Sequence, residues 1–110
     1  MTQEDIAAAC GGEVKVPVPD GAQINDAYTS DMLSDVMAGA PENSVLITIQ
    51  NHLNTIAVCT LVGIRVVLVC QGRPVPDDMA AAAEEEGVGI ISAPMSQFAA
   101  SVAIGKLLGQ

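Results

Sequence analysis

The 110-residue chain has few aromatic residues: Tyr28 and Phe98 are the whole set, with no tryptophan. Its core must therefore be aliphatic, and a core of Val, Ile, Leu, Ala and Met suits a parallel sheet covered by helices. Basic residues are equally scarce. Four lysines and arginines face thirteen acids, for a formal net charge of −9. A field of that sign repels phosphate backbones and anionic bilayers, so neither nucleic acid nor a membrane surface is an expected partner. A small anion held locally by backbone amides and an arginine remains compatible with it. No apolar run reaches the roughly 18 residues needed to span a bilayer. The start, Met1 to Ala9, carries Glu4 and Asp5 without a base and lacks the basic opening of a secretory signal, so a cytoplasmic location is expected.

Other absences narrow the chemistry. Cys10, Cys59 and Cys70 are odd in number and never closely spaced, which gives neither a disulfide framework nor a zinc site. They read as small buried hydrophobes; a reactive thiol at Cys70, at a strand end, is the alternative. Asp31 and Asp35 share a helix face, but two carboxylates do not make a metal site, and no metal is expected. Glu84, Glu85 and Glu86 read as a solvated helix face. The sequence has no GxxxxGK[ST], GxGxxG, HExxH or GxSxG pattern. The chain is therefore not a kinase by itself, and no cofactor is expected.

What remains is rich in periodic structure, with 50% of residues hydrophobic. Thr2 caps a helix that runs to about Cys10 and ends at Gly11-Gly12. Glu13 to Val18 alternates as a half-buried strand, and Pro17 to Gly21 marks a turn. Ala22 to Thr29 reads as a weak strand, and Met32 to Ala38 as a helix. Val45 to Ile49, Ile64 to Cys70 and Val88 to Ser92 are apolar strands. Helices are expected from Asn51 to Gly63, from Pro76 to Gly87, and from Pro94 to about Leu108. Alternating strands and helices predict a single α/β domain over 1–110, a small three-layer unit with a mostly parallel sheet.

In such a sheet ligands bind beyond the carboxyl ends of the strands, where the strand-to-helix loops gather. Those loops carry the candidate site. Gln50, Asn51, His52 and Asn54 form an amide-rich group around the only histidine, suited to reading a ligand's edge. Capping by Asn51 and a solvent-facing His52 are the plain alternatives. Gln71, Gly72 and Arg73 precede a helix start, where amides and a guanidinium suit a phosphate or carboxylate; a surface arginine is the plain alternative there.

The segment 28–106 resembles the DRTGG domain family. The resemblance is carried in order by Ser30-Asp31-Met32-Leu33-Ser34-Asp35-Val36-Met37, Ile47-Thr48-Ile49-Gln50-Asn51-His52 and Val67-Leu68-Val69-Cys70-Gln71-Gly72-Arg73-Pro74. Ile90-Ile91-Ser92 and Ser96-Gln97-Phe98 close the set. It implies an α/β domain like the N-terminal domain of the HPr serine kinase/phosphorylase, a module without the kinase's P-loop half. It also implies dimer contacts, since the family tends to supply them. The chain departs from the family where a Thr-Gly-Gly-like turn is replaced by Cys70-Gln71-Gly72.

Three functional readings follow. The first is a non-enzymatic regulatory or ligand-sensing module, a homodimer, that binds a small anionic or nucleotide-like ligand or a partner enzyme. The second is a small enzyme with His52 as general base and Asp31 as its orienting carboxylate. The third is a purely structural dimerisation domain, with Ala99, Val102, Ala103 and Leu107 as its apolar patch.

Overall fold

A computed structural model describes all of residues 1–110. Its elements are α1 (Gln3–Cys10), β1 (Glu13–Val16), β2 (Asp26–Thr29), α2 (Leu33–Gly39), β3 (Ser44–Thr48), α3 (Leu53–Val62), β4 (Val66–Val69), α4 (Asp77–Glu86), β5 (Gly89–Ser92) and α5 (Gln97–Leu107). The five strands form one sheet in the order β1-β5-β4-β3-β2. β2 to β5 run parallel, each beside its successor in the chain, while β1 pairs antiparallel with β5. Helices cover both faces, giving the expected three-layer α/β architecture with a mostly parallel sheet.

Strand alternation divides the core in two. Val45, Ile47, Val66, Leu68, Cys70 and Ile91 point toward α1 and α5, where they meet Ile6, Cys10, Ala100 and Ile104. Leu46, Val67, Val69 and Ile90 point the other way, against Val36 of α2, Ile56 and Cys59 of α3, and Met79 and Ala83 of α4. Each of these larger aliphatic side chains contributes about 1.5–3 kcal/mol by leaving water. All residues of β3 and β4 are buried, as strands covered on both faces must be.

Local chemistry fixes the ends. Thr2 and Asp5 form a capping box on α1: the Asp5 amide donates to Thr2 Oγ1 at 3.1 Å, and the Thr2 amide to Asp5 Oδ2 at 2.9 Å. Those Thr2 bonds hold the Asp5 carboxyl below its usual pKa. The buried Gln3 side chain clips β1 in place, donating to Val16 O at 2.9 Å and accepting from the Val18 amide at 2.7 Å. This clip needs glycine at 89, since a Cβ there would sit 2.5 Å from Gln3 Nε2.

Several boundaries differ from the periodicity: α3 starts at Leu53 rather than Asn51, and β4 is Val66–Val69 rather than Ile64 to Cys70. β1 stops at Val16 because Pro17 has no amide to give and the Val18 amide belongs to Gln3. The second strand is only Asp26–Thr29, since Pro19–Gly21 winds into a 3₁₀ turn and the Ile24 amide goes to Met1 O. The last helix starts at Gln97, not Pro94. Ser96 Oγ caps it by accepting from the Ala99 amide, and Ala93 and Met95 instead give their carbonyls to the Gly72 and Gln71 amides. No helix is long and apolar enough to cross a membrane.

Candidate functional site

The loops after β2, β3 and β4 all turn to the α2–α3–α4 face, whereas the loop after β5 turns to the α1–α5 face. Where neighbouring strands send their helices to opposite faces, a crevice opens at the carboxyl edge. In this sheet that point lies between β4 and β5, and the edge differs on its two sides.

On the β2–β3 side the polar groups bind one another. Asp31 Oδ1 accepts from Thr48 Oγ1 at 3.0 Å, the Ile49 amide at 3.0 Å and Gln97 Nε2 at 2.9 Å. Gln50 Nε2 donates to Asp31 O at 2.7 Å, and the Gln50 amide to Thr48 Oγ1 at 3.0 Å. Thr29 and Ser101 share a hydroxyl bond of 2.8 Å. Asp31 thus ties three elements together: the loop after β2, the end of β3 and the start of α5.

His52 sits outside this network. It is the N-cap of α3, exposed, with Nδ1 accepting from the Asn54 amide at 3.1 Å. Asp31 and His52 make no hydrogen bond to each other, and each has its own partners. Capping therefore falls to His52 and not to Asn51, which instead reaches across to the next loop, its Nδ2 donating to Pro74 O at 2.8 Å.

On the β4–β5 side the groups are open. Gln71 and Gly72 both have positive φ, 61° and 63°, and the Arg73 amide closes the turn onto Cys70 O at 3.3 Å. Gly72 suits that backbone; Gln71 holds it because its amide and that of Gly72 are bonded to the loop after β5. This turn lifts Arg73 to the surface, where its side chain has no hydrogen-bond partner among the residues of the chain. Arg73, Gly72, Pro74, Val75, Asp77 and Ala80 line a crevice of about 530 Å³ whose other wall is Ser92 and Lys15. Lys15 is not among the residues the sequence singles out, because it lies in a strand whose alternation says nothing about a site. Ser92 enters the sequence reading only as a strand end and in the closing segment of the family resemblance, and not as a site residue.

The candidate residues are therefore divided. Gly72 and Arg73 face the crevice. Asn54 lines a separate, mostly apolar groove of about 470 Å³ between α3 and α4, with Leu53, Ile56, Ala57, Thr60, Ala82 and Glu86. Gln50 belongs to the Asp31 network, and Asn51 fastens the two loops. A third hollow, at the opposite edge, surrounds Arg65 with Glu42 and Glu86; Arg65 Nε is buried there without a partner. No group of three or more His, Cys, Asp or Glu side chains is placed to hold a metal ion. All three cysteines are buried and free. Burial pushes the Cys59 thiol up to about 12 and the Cys70 thiol up to about 11, so the thiolate that reactivity at Cys70 would need is withheld.

No protein-family model and no curated protein matches the sequence. Among solved structures, the fold is similar to the CBS and DRTGG domains of the regulatory region of Clostridium perfringens pyrophosphatase, a crystal structure complexed with its activator, diadenosine tetraphosphate. The TM-score is 0.72 at 15% identity, over 94% of this chain and 45% of that one. This chain thus spans less than half of its neighbour, and what the two share is a DRTGG-like α/β fold.

Proposed function

From that shared fold, we propose that this protein is a regulatory, ligand-sensing module and that its ligand is a small anionic or nucleotide-like molecule. The observation that carries the reading is the crevice at the β4–β5 switch point, which sets an unpartnered arginine beside a helix start. Arg73 holds the anion, Gly72 leaves the backbone open to close approach, and the start of α4, where the Met79 amide is already bonded to Asp78 Oδ1, adds the positive end of a helix dipole. Nothing is within 4 Å of a Cβ built at Gly72, so the approach is unobstructed. The neighbour's complex with a dinucleoside polyphosphate agrees with this reading. Gln50, Asn51, His52 and Gln71 then act mainly as supports that fix the loops and the helix start beside the crevice, and Asn54 lies outside it.

The test is a thermal-shift screen of nucleotides, acyl phosphates and sugar phosphates against wild type and Arg73→Ala. A ligand raises the midpoint by mass action, and the substitution abolishes the rise. A screen without a hit, or a hit that ignores Arg73, overturns the reading.

We also propose self-association through α5. Phe98 and Val102 lie one turn apart and are 80% and 43% exposed. Of the four positions suggested by sequence, Ala103 packs instead against the core, which moves the patch toward Phe98. Light scattering at tens of micromolar distinguishes a dimer from a monomer.

A further inference from the structure

We infer that Lys15 is the second cation of this crevice, and that the group held between Lys15 and Arg73 is a phosphoryl group, the end of a phosphate monoester or diphosphate. The inference rests on the crevice being the ligand site.

The argument begins with the register of β1. Glu13 pairs with Ser92 and Val14 with Ile91, but the next pair is Val16 with Ile90, so Lys15 is the extra residue of a β-bulge. In an unbroken strand Val14 and Val16 would share a face and Lys15 would take the other. Here Val14 packs with the α1–α5 core and Val16 with the α2–α3–α4 core. With Val14 on the α1–α5 face, Lys15 falls on the α4 side in either case, and it lines the crevice opposite Arg73. What the bulge re-aims is Val16, which enters the core on that same side and anchors the strand beside Lys15. The result is a concentration of charge: two of the chain's four cations line one crevice in a molecule of net charge −9.

The partner of Lys15 does not hold it. Its ion pair with Glu13 spans 3.0 Å, but the two side chains are 40% and 73% exposed, and exposed pairs of this kind are weak. The ligand class follows from the arrangement. Lys15 stands on the β1 wall, Arg73 on the loop after β4, and the Ser92 hydroxyl belongs to the strand between them. A carboxylate offers two coplanar oxygens and one charge. A terminal phosphoryl group offers three oxygens and close to two charges, enough to engage both walls at once. Glu13 and Asp77 stand on the same walls, so an anion gains entry only by engaging both cations.

Isothermal titration calorimetry of the full chain with inorganic phosphate, diphosphate and acetate, at fixed ionic strength, tests this. Wild type should bind diphosphate and phosphate at least about tenfold more tightly than acetate. Lys15→Gln should weaken diphosphate binding roughly ten- to a hundredfold, the usual range for a lost charge-assisted bond. Deleting Lys15 should do the same, and it leaves Val14 opposite Ile91 and Val16 opposite Ile90 in a regular ladder, so the chain stays folded. Lys106→Gln, a cation at the far end of α5, should change nothing. Wild-type affinity in both Lys15 variants would overturn the role of Lys15, and the sensing reading would survive if Arg73→Ala still abolished binding. Acetate matching phosphate would overturn the ligand class. Absence of all anion binding in wild type would sink the sensing reading together with the inference.

Discussion

The two halves of one sheet edge make opposite use of polar residues. Beside β2 and β3, Asp31, Thr48, Gln50 and Gln97 satisfy one another. Beside β4, β5 and β1, Arg73 and Lys15 project into a crevice and find at most an exposed glutamate. A polar group that is fully paired inside the protein has no bonding capacity left for a ligand; one that is left open does. The first half therefore holds loops, and the second keeps bonding capacity to spare.

This comparison can be broken by mutation, and the largest expected effect is on the closed half. Asp31→Ala leaves the Thr48 hydroxyl, the Ile49 amide and the Gln97 side chain without their acceptor. It should cost about 2–3 kcal/mol in urea unfolding, the penalty for partly buried groups left unmade, while anion binding persists in the folded fraction. Arg73→Ala should show the reverse: stability within about 0.5 kcal/mol of wild type, as at ordinary surface positions, with anion-induced stabilisation lost in the thermal-shift assay. If Asp31→Ala abolishes binding while stability holds, the two halves have been assigned the wrong way round. His52→Ala should cost about 1 kcal/mol through loss of the α3 cap, read as a lower urea midpoint at unchanged m-value; a larger loss of ligand binding than of stability would return His52 to the site.

The smallest effect is one of pH. The Cys59 and Cys70 thiols are held protonated by burial, up to about 12 and about 11, against roughly 8.5 in an unfolded chain. The folded state then binds more protons than the unfolded state above that value. Their contribution is fully present below about pH 8.5 and is lost as pH rises toward 11 and 12. The urea midpoint should fall between pH 8.5 and 10, and Cys59→Ala should flatten part of that fall.

The core of this fold was legible because β3, β4 and β5 are short β-branched runs between helices with clear stops, such as Val45 to Ile49 and Gly87. Arg73 and Gly72 were legible because connectivity alone puts their loop at the carboxyl edge. The direction of β1 was not, since alternation is the same in either direction, and its bulge was positively hidden: Val14, Lys15 and Val16 alternate as a straight strand would, yet the two valines enter different cores. Asp31 was conspicuous as a carboxylate, but a sequence cannot reveal that Gln97, far along the chain, lies close enough to donate to it. The division of Asn54 from Arg73 depends on α4, whose Asp77 and Ala80 face one hollow and Ala82 and Glu86 the other.

The strand order has one more consequence. β2, β3 and β4 each join the strand that follows directly in the chain, but β1, the first strand of this sheet, pairs only with β5, the last. Such a distant pairing carries the largest loop-closure entropy of any in the sheet. The seam between β1 and β5 is thus where the first and last strands of the sheet meet, and Lys15 and Arg73 stand on either side of it. On the proposed reading, an anion bridging them would act as a clasp, so that filling the crevice and fastening β1 would be a single event.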